Sequence, residues 1–320
     1  MSSQDPQNLP VVSTTQTGCD GYDARSYADA LNQGALVAMP RSEGYLIKRK
    51  LPDFLASAES DLVSPYPVYA CKNWDGLADD IRLLNQDYVT LSLVTDPFFD
   101  CSVEYLKETF PDKCIKFKPH YIIDTSLDLD CNISSHHRRN VRRSLKSVSI
   151  DVLDDPYEVI DEWMRLYSNL IERHRIQGVA QFSDASFRKQ LRLPGMIATV
   201  ARFQCDVVGI ALWLLAGNIG YYHLAAYSDR GYELNSSFAI FYESLKYLSA
   251  RTDYVSLGGG AGAKIQENDG LARFKQGWAS ESRDVYFCGK VLDRDKYQSI
   301  CGGSSKIHDS FFPAYRAADY

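Results

Sequence analysis

The sequence predicts a mixed α/β protein, and three observations carry that prediction. From Tyr157 to His174, the residues Ile160, Trp163, Met164, Tyr167, Leu170 and Ile171 recur at the spacing that lines one face of an α-helix. Three apolar runs follow in succession, MIATVARF, VVGIALWLLA and IGYYHLAAYS, and Gly217-Asn218 between the last two suits a tight antiparallel hairpin. A helix, SSFAIFYESLKYLSAR, and a short strand, DYVSL, then run into Gly258, Gly259 and Gly260. The order helix, three-strand meander, helix, strand is the most specific feature of the chain.

The remaining elements follow in order. Residues 1–20 are polar and without period, and read as a loose tail. DARSYADALNQG reads as a short helix stopped by Gly34, ALVAMP and GYLIKRKLP as strands, and SPYPVYACKNWD as a Pro-Tyr loop. LADDIRLLNQ reads as a helix, YVTLSLVT as a strand closed by Asp96-Pro97, SVEYLKETF as a helix, and FKPHYIIDTS as the strand that ends the first half. After the meander, Asn235 or Ser236 can cap a helix with Phe238, Phe241, Tyr242, Leu245 and Leu248 on one face. At roughly 150 residues per domain, the 320 residues predict about two domains, a half at 21–132 and a half at 133–320. Both halves run mixed α/β, which allows a duplicated fold.

Composition narrows the function. Charged residues at 24% and hydrophobic ones at 45% are those of an ordinary globular protein. The longest apolar run, Val207 to Ala216, falls far short of the ~20 residues a membrane helix needs. A net charge of −6 disfavours a protein wholly devoted to nucleic acid, while leaving room for a local basic patch. No Cys-x-x-Cys pair occurs among the eight cysteines, so no metal or redox site is expected. Without a signal peptide they read as the reduced thiols of a cytoplasmic protein.

Three stretches can carry chemistry. In ISSHHRRNVRRSLK, a helix would put Ile133, His137, Val141 and Leu145 in one apolar stripe, with Arg138, Arg139, Arg142, Arg143 and Lys146 opposite and Ser134 or Ser135 as cap. Those cations either pair with acids such as Asp151, Asp154 and Asp155 or form a docking face for phosphate. The strand IGYYHLAAYS, the loop DRGYELNSS and the helix after it would present free N–H groups at a helix N-terminus, suited to a pyrophosphate. Gly231 is the one glycine of that loop, and Asn235, Ser236 and Ser237 are its polar caps. His223 sits mid-strand, as a hydrogen-bonded core residue or as a base in the neutral range. GGGAGAKIQENDG is neither a P-loop nor a dinucleotide fingerprint, so Gly258 and Gly259 read as the sharp exit of a strand beside a ligand. Lys275 follows on a short helix or turn with Leu271, Phe274 and Trp278 on its apolar side, and can stabilise a developing negative charge.

Three motifs in this order, SSHHRRNVRRSLK, the meander through LSAR, and DYVSLGGG with DGLARFKQGW, resemble the FemAB-like and BioF2-like branch of the GNAT acyltransferases over about residues 134–279. SPYPVYACKNWD and FFPAYR are weaker echoes of the same pattern. The resemblance implies a GNAT-type, mainly antiparallel sheet flanked by helices, in two GNAT-like halves. It implies transfer of an acyl or aminoacyl group to an amine of a cell-envelope precursor, sugar nucleotide or metabolite, with no tightly bound cofactor. In that reading His223 takes the proton of the amine. Lys275 and the backbone at Leu224, Ala225 and Ala226 hold the oxyanion or a phosphate. Arg138, Arg142 and Ser134 hold a phosphate-bearing acceptor, and Asn235 to Ser237 the donor. The chain departs from the family at the pyrophosphate loop Q/R-x-x-G-x-G/A, of which only Gly231 remains. Acyl-CoA is the donor that the acidic charge favours, and aminoacyl-tRNA is the alternative. A non-catalytic anion-binding protein is the competing class.

Overall fold

Strands from both halves of the chain pair into one sheet. The computed structural model describes residues 21–31, 33–55, 57–84, 87–174, 181–262, 269–302 and 311–319. The tail expected at 1–20 and the middle of the glycine-rich loop lie outside the described residues. The first half contributes α1 (Arg25–Ala30), β1 (Leu36–Met39), β2 (Gly44–Lys50), β3 (Ser60–Val63), α2 (Leu77–Leu83), β4 (Thr90–Val94), α3 (Val103–Thr109), β5 (Lys113–Asp124) and α4 (Leu129–Asn132). The second contributes α5 (Ser135–Ser144), β6 (Ser149–Leu153), α6 (Ile160–His174), α7 (Asp184–Gln190), β7 (Met196–Phe203), β8 (Asp206–Ala216), β9 (Ile219–Tyr227), α8 (Asp229–Glu233), α9 (Ser236–Ser249), β10 (Tyr254–Ser256), α10 (Gly270–Gln276), β11 (Glu281–Val291) and α11 (Arg294–Cys301).

The strand order is β1-β2-β3-β4-β11-β5-β10-β9-β8-β7-β6. Neighbours are antiparallel except β3 with β4 and β9 with β10. Each half thus repeats one arrangement, an antiparallel meander of three strands joined in parallel to a fourth. That is the mixed, mainly antiparallel sheet and the pair of similar halves expected from the sequence. The boundary at 132/133 falls between α4 and α5, yet β11 from beyond it lies between β4 and β5 of the first half.

Two cores cover the faces of the second half. On one, Trp163, Leu166 and Tyr167 of α6 pack with Ile210, Leu212 and Leu214 of β8. On the other, Val141 of α5, Ile240, Phe241 and Leu245 of α9, and Trp278 pack on Ala211 and Trp213. Burying each such large side chain contributes about 1.5–3 kcal/mol. Helix α6 buries Ile160, Trp163 and Tyr167 of the stripe read from its period and half-buries Met164, Leu170 and Ile171, and a tight 3₁₀ turn, Pro156–Val159, capped by Asp155, leads into it. Helix α5 stops at Ser144, so Ser144 is buried with His137 and Val141, and the expected stripe residue Leu145 is 38% exposed. The loop expected at DRGYELNSS is in part the short helix α8, capped by Ser228. Asn235 adopts the left-handed conformation with φ 54° and makes no side-chain cap.

Candidate functional site

The site forms where two strands part. Strands β9 and β10 pair only from Ile219 to Tyr221 and from Tyr254 to Ser256. Past that point β10 stays with β5, through Leu257 N–H to Tyr121 and Tyr121 N–H to Gly258. Strand β9 continues to Tyr227 beside β8 alone, so Tyr222 to Tyr227, including Leu224, Ala225 and Ala226, face an unpaired edge. A bulge at His223, between the pairs Leu212–Leu224 and Trp213–Tyr222, bends the strand there.

Lys275 stands between the parting strands. Its Nζ lies 5.1 Å from the centre of the Tyr222 ring on the β9 side and donates to the Gly259 carbonyl at 2.6 Å on the β10 side. Gly258 has φ +72°, and a Cβ there would lie 3.4 Å from Nζ. The glycines therefore turn the chain off β10 and let Lys275 approach its backbone. Burial, reinforced by the nearby Lys118 charge and opposed by Asp269, lowers the lysine to about 7. Asp269 caps α10 through Leu271 and Ala272 N–H and also accepts from Ala261 N–H at 2.7 Å.

Two basic residues of β5 join Lys275 from the first half. Lys118 and His120, two apart on a strand, share one face. They flank Gly259, where a Cβ would meet Lys118 Cβ at 3.2 Å and His120 Cδ2 at 3.5 Å. Lys118 Nζ donates to the carbonyls of Gly260, Ala261 and Gly262. His120 is buried, and among the described residues its Nδ1 has no hydrogen-bond partner. An unsatisfied buried polar group costs about 1–3 kcal/mol. Burial, with Lys275 and Lys118 beside it, lowers this imidazole to about 3.

His223 lies on the other face of the sheet from Lys275, so the fold does not bring together the two residues that the sequence reading pairs as catalytic. Its Nε2 lies 2.8 Å from Gln190 Oε1, and its Nδ1 lies 3.2 Å from the Tyr22 hydroxyl. Gln190 is itself fixed by Nε2–H donation to Ser186. The network assigns a neutral ring with Nε2 protonated and Nδ1 accepting from Tyr22. Burial lowers this histidine to about 3. Near it, Asp96 is buried, and its carboxyl is raised to about 7 by burial, against Phe98 N–H and the Tyr221 hydroxyl.

The phosphate-handling residues separate into two places. On α5, Ser134 caps the helix and its hydroxyl lies 2.8 Å from His137 Nδ1, while His137 Nε2 meets the Phe274 carbonyl. This ties α5 to α10. Arg138, Arg139, Arg142, Arg143, Lys146 and Ser135 line a surface groove of about 570 Å³. The acids expected to answer them are engaged elsewhere: Asp151 with Arg202, Asp154 with Tyr247, and Asp155 at the start of the 3₁₀ turn. Among the described residues, the Arg138 side chain donates to the Asp130 carbonyl at 2.8 Å. At the expected donor loop, Gly231 is required because a Cβ would lie 2.1 Å from the Val208 carbonyl oxygen. Its N–H donates to Ser228 Oγ, so it is not free for a pyrophosphate. Ser236 is buried and its Oγ has no partner among the described residues, and the first N–H groups of α9 at Ser236 and Ser237 follow.

Sequence reasoning missed Lys118, His120, Gln190, Tyr22 and Asp96. A lysine and a histidine at i, i+2 mark one face of a strand for the first two, but nothing local tells whether their polar atoms are satisfied.

No protein-family model matches the sequence, and no curated protein matches it. Solved structures do. FemX superposes with TM-score 0.64 at 13% identity, covering 87% of this chain and 94% of FemX. The C-terminal DUF2156 domain assigned to a lysylphosphatidylglycerol synthetase of Agrobacterium fabrum superposes with TM-score 0.63 at 12% identity, over 85% and 88% of the two chains. L-PGS from Bacillus licheniformis superposes with TM-score 0.56 at 11% identity, over 89% and 97%. At such identities the likeness speaks to the fold alone: the chain shares the fold of FemX and of these two synthetase structures.

Proposed function

We propose that the protein is an N-acyltransferase that moves an acyl group from acyl-CoA to an amine of a cell-envelope precursor, sugar nucleotide or metabolite. The parting of β9 from β10, bridged by Lys275, carries this reading. A thioester laid in the gap would meet the unpaired β9 edge on one side and Lys275 on the other. As the amine attacks, the C–N bond forms, the C–S bond breaks and charge gathers on the carbonyl oxygen. An ammonium and free N–H groups at that oxygen lower the barrier. The amine's proton leaves with the departing thiolate as free thiol, and His223, buried on the other face with both nitrogens engaged, has no part in the transfer. In this reading Arg138 and Arg142 hold a substrate phosphate, and the backbone of Asn235 to Ser237 at the start of α9 takes the donor.

The test is the thermal midpoint with acetyl-CoA and longer acyl-CoAs, followed by release of free thiol with candidate amines. A donor at about 100 times its Kd adds about 2.7 kcal/mol of stability. A shift together with thiol release that Lys275→Met abolishes supports the proposal. No shift with any thioester overturns the donor assignment. Aminoacyl-tRNA is the second reading, favoured by the unanswered cations of α5 and by the engaged Gly231 N–H. Binding of tRNA that weakens steeply with salt is its expected signature.

A further inference from the structure

We propose that Lys118, His120 and Lys275 form one anion-binding subsite that takes a phosphate group of the substrate. The inference rests on the placement of the transferase site at Lys275 and adds a ligand class and two residues from the other half of the chain.

Three observations support it. Lys118 and His120 flank Gly259 on β5, and the carbonyl of that same glycine accepts from Lys275, so the three side chains surround one short stretch of backbone. All three are at least nine-tenths buried. Among the described residues, His120 has an enclosed ring nitrogen with no partner, although such groups in proteins are nearly always satisfied. A bare histidine beside two lysines is a costly arrangement that a bound anion would relieve.

Charge balance selects phosphate over carboxylate. Among the described residues, Asp269 is the carboxylate that faces the lysines, and the Tyr222 ring covers Lys275. Without ligand, burial depresses all three bases, and neighbouring lysine charge depresses His120 and Lys275 further. A carboxylate and Asp269 together would balance two ammonium groups and leave His120 uncharged. A phosphate dianion and Asp269 would balance all three, and the third proton would sit on His120, the ring that lacks a partner. Lysine meets phosphate as a point charge, without the fork geometry of arginine. The competing explanation is a latch, in which the lysines only fasten the glycine segment through its carbonyls.

The experiment is a histidine NMR titration of the full chain, with His120 assigned by loss of its signal in His120→Asn. Inorganic phosphate and acetate are the two probes. The expected result is that phosphate moves the His120 midpoint from the acid range up towards neutrality while acetate leaves it in place. Lys118→Gln should weaken that phosphate response about tenfold. Arg142→Gln with Arg143→Gln should not, which separates this subsite from the arginine helix. A His120 signal unmoved at about 50 mM phosphate, where a millimolar site is filled, overturns the subsite. So does an unchanged response in Lys118→Gln, or an equal response to acetate. A silent His120 with thiol release still dependent on Lys275 sinks the subsite and leaves the transferase standing. A phosphate-responsive His120 with no thioester use does the reverse.

Discussion

Lys275 shows how a single residue can cost stability and serve chemistry. Its folded-state pKa of about 7 lies below the unfolded value of about 10.4. Between those values the unfolded chain binds the extra proton, so stability rises with pH; at and below about 7 the full penalty is present. Replacing it with the uncharged Lys275→Met is therefore expected to raise the thermal midpoint at pH 6 and to change it little near pH 10.5. The same substitution should lower turnover by about 100-fold or more, as loss of an oxyanion donor does. Turnover that depends on the ammonium form should fall as pH rises through about 7. A midpoint that drops at pH 6 would show that the lysine is a structural prop, and a rate that climbs through pH 7 would make it a base. The residue was legible because FK follows a glycine-rich strand exit. His120 was not, because a lone strand histidine looks the same in sequence whether both its nitrogens are satisfied, as in His223, or one is bare.

Helix α5 makes the corresponding case for an element. Arg142 has like charges at i−4, i−3 and i+4 in Arg138, Arg139 and Lys146, and the helix carries no acid in its first turn. Each such pair costs about 0.2–0.5 kcal/mol at low salt. Arg142→Gln should thus stabilise the protein by about 1 kcal/mol in dilute buffer, and the gain should vanish near 1 M salt, where screening acts within about 3 Å. Denaturant melts at the two salt concentrations read this directly, and a loss of stability at low salt would mean the arginine already has a partner. The helix itself, like α6 and α9, was legible from its apolar period. Strands β3, β6 and β11 were not. Strand β11 opens on Glu281, Ser282, Arg283 and Asp284 and then buries Val285, Tyr286, Cys288 and Gly289, so no alternation marks it. It is held by neighbours on both sides, from sequence more than 150 residues away. A strand with that support tolerates a pattern that local rules do not recognise.

At the scale of the whole molecule, the chain returns to where it began. After building the second meander it inserts β11 between β4 and β5. Its C-terminal segment then places Tyr315 and Arg316 on the buried carboxylate of Asp61, with Arg316 Nε 2.7 Å from Oδ2. Two similar halves were legible from the repeated α/β order; their interlocking was not, because strand order is set by long-range pairing that no local pattern encodes. The consequence is that 133–320, though it carries Lys275, His223 and the arginine helix, is expected not to fold alone. Cut there, β11 loses both its neighbours and β10 loses β5. Arg316 loses Asp61, and a buried charge left without its partner costs about 3–5 kcal/mol. Expressed alone, 133–320 should show no cooperative melt. Co-expressed with 1–132, it should recover a single transition and, with it, the site in which Lys118 and His120 of one piece meet Lys275 of the other. A cooperative melt of the isolated 133–320 would show instead that β11 finds other partners and that the second half folds without Lys118 and His120.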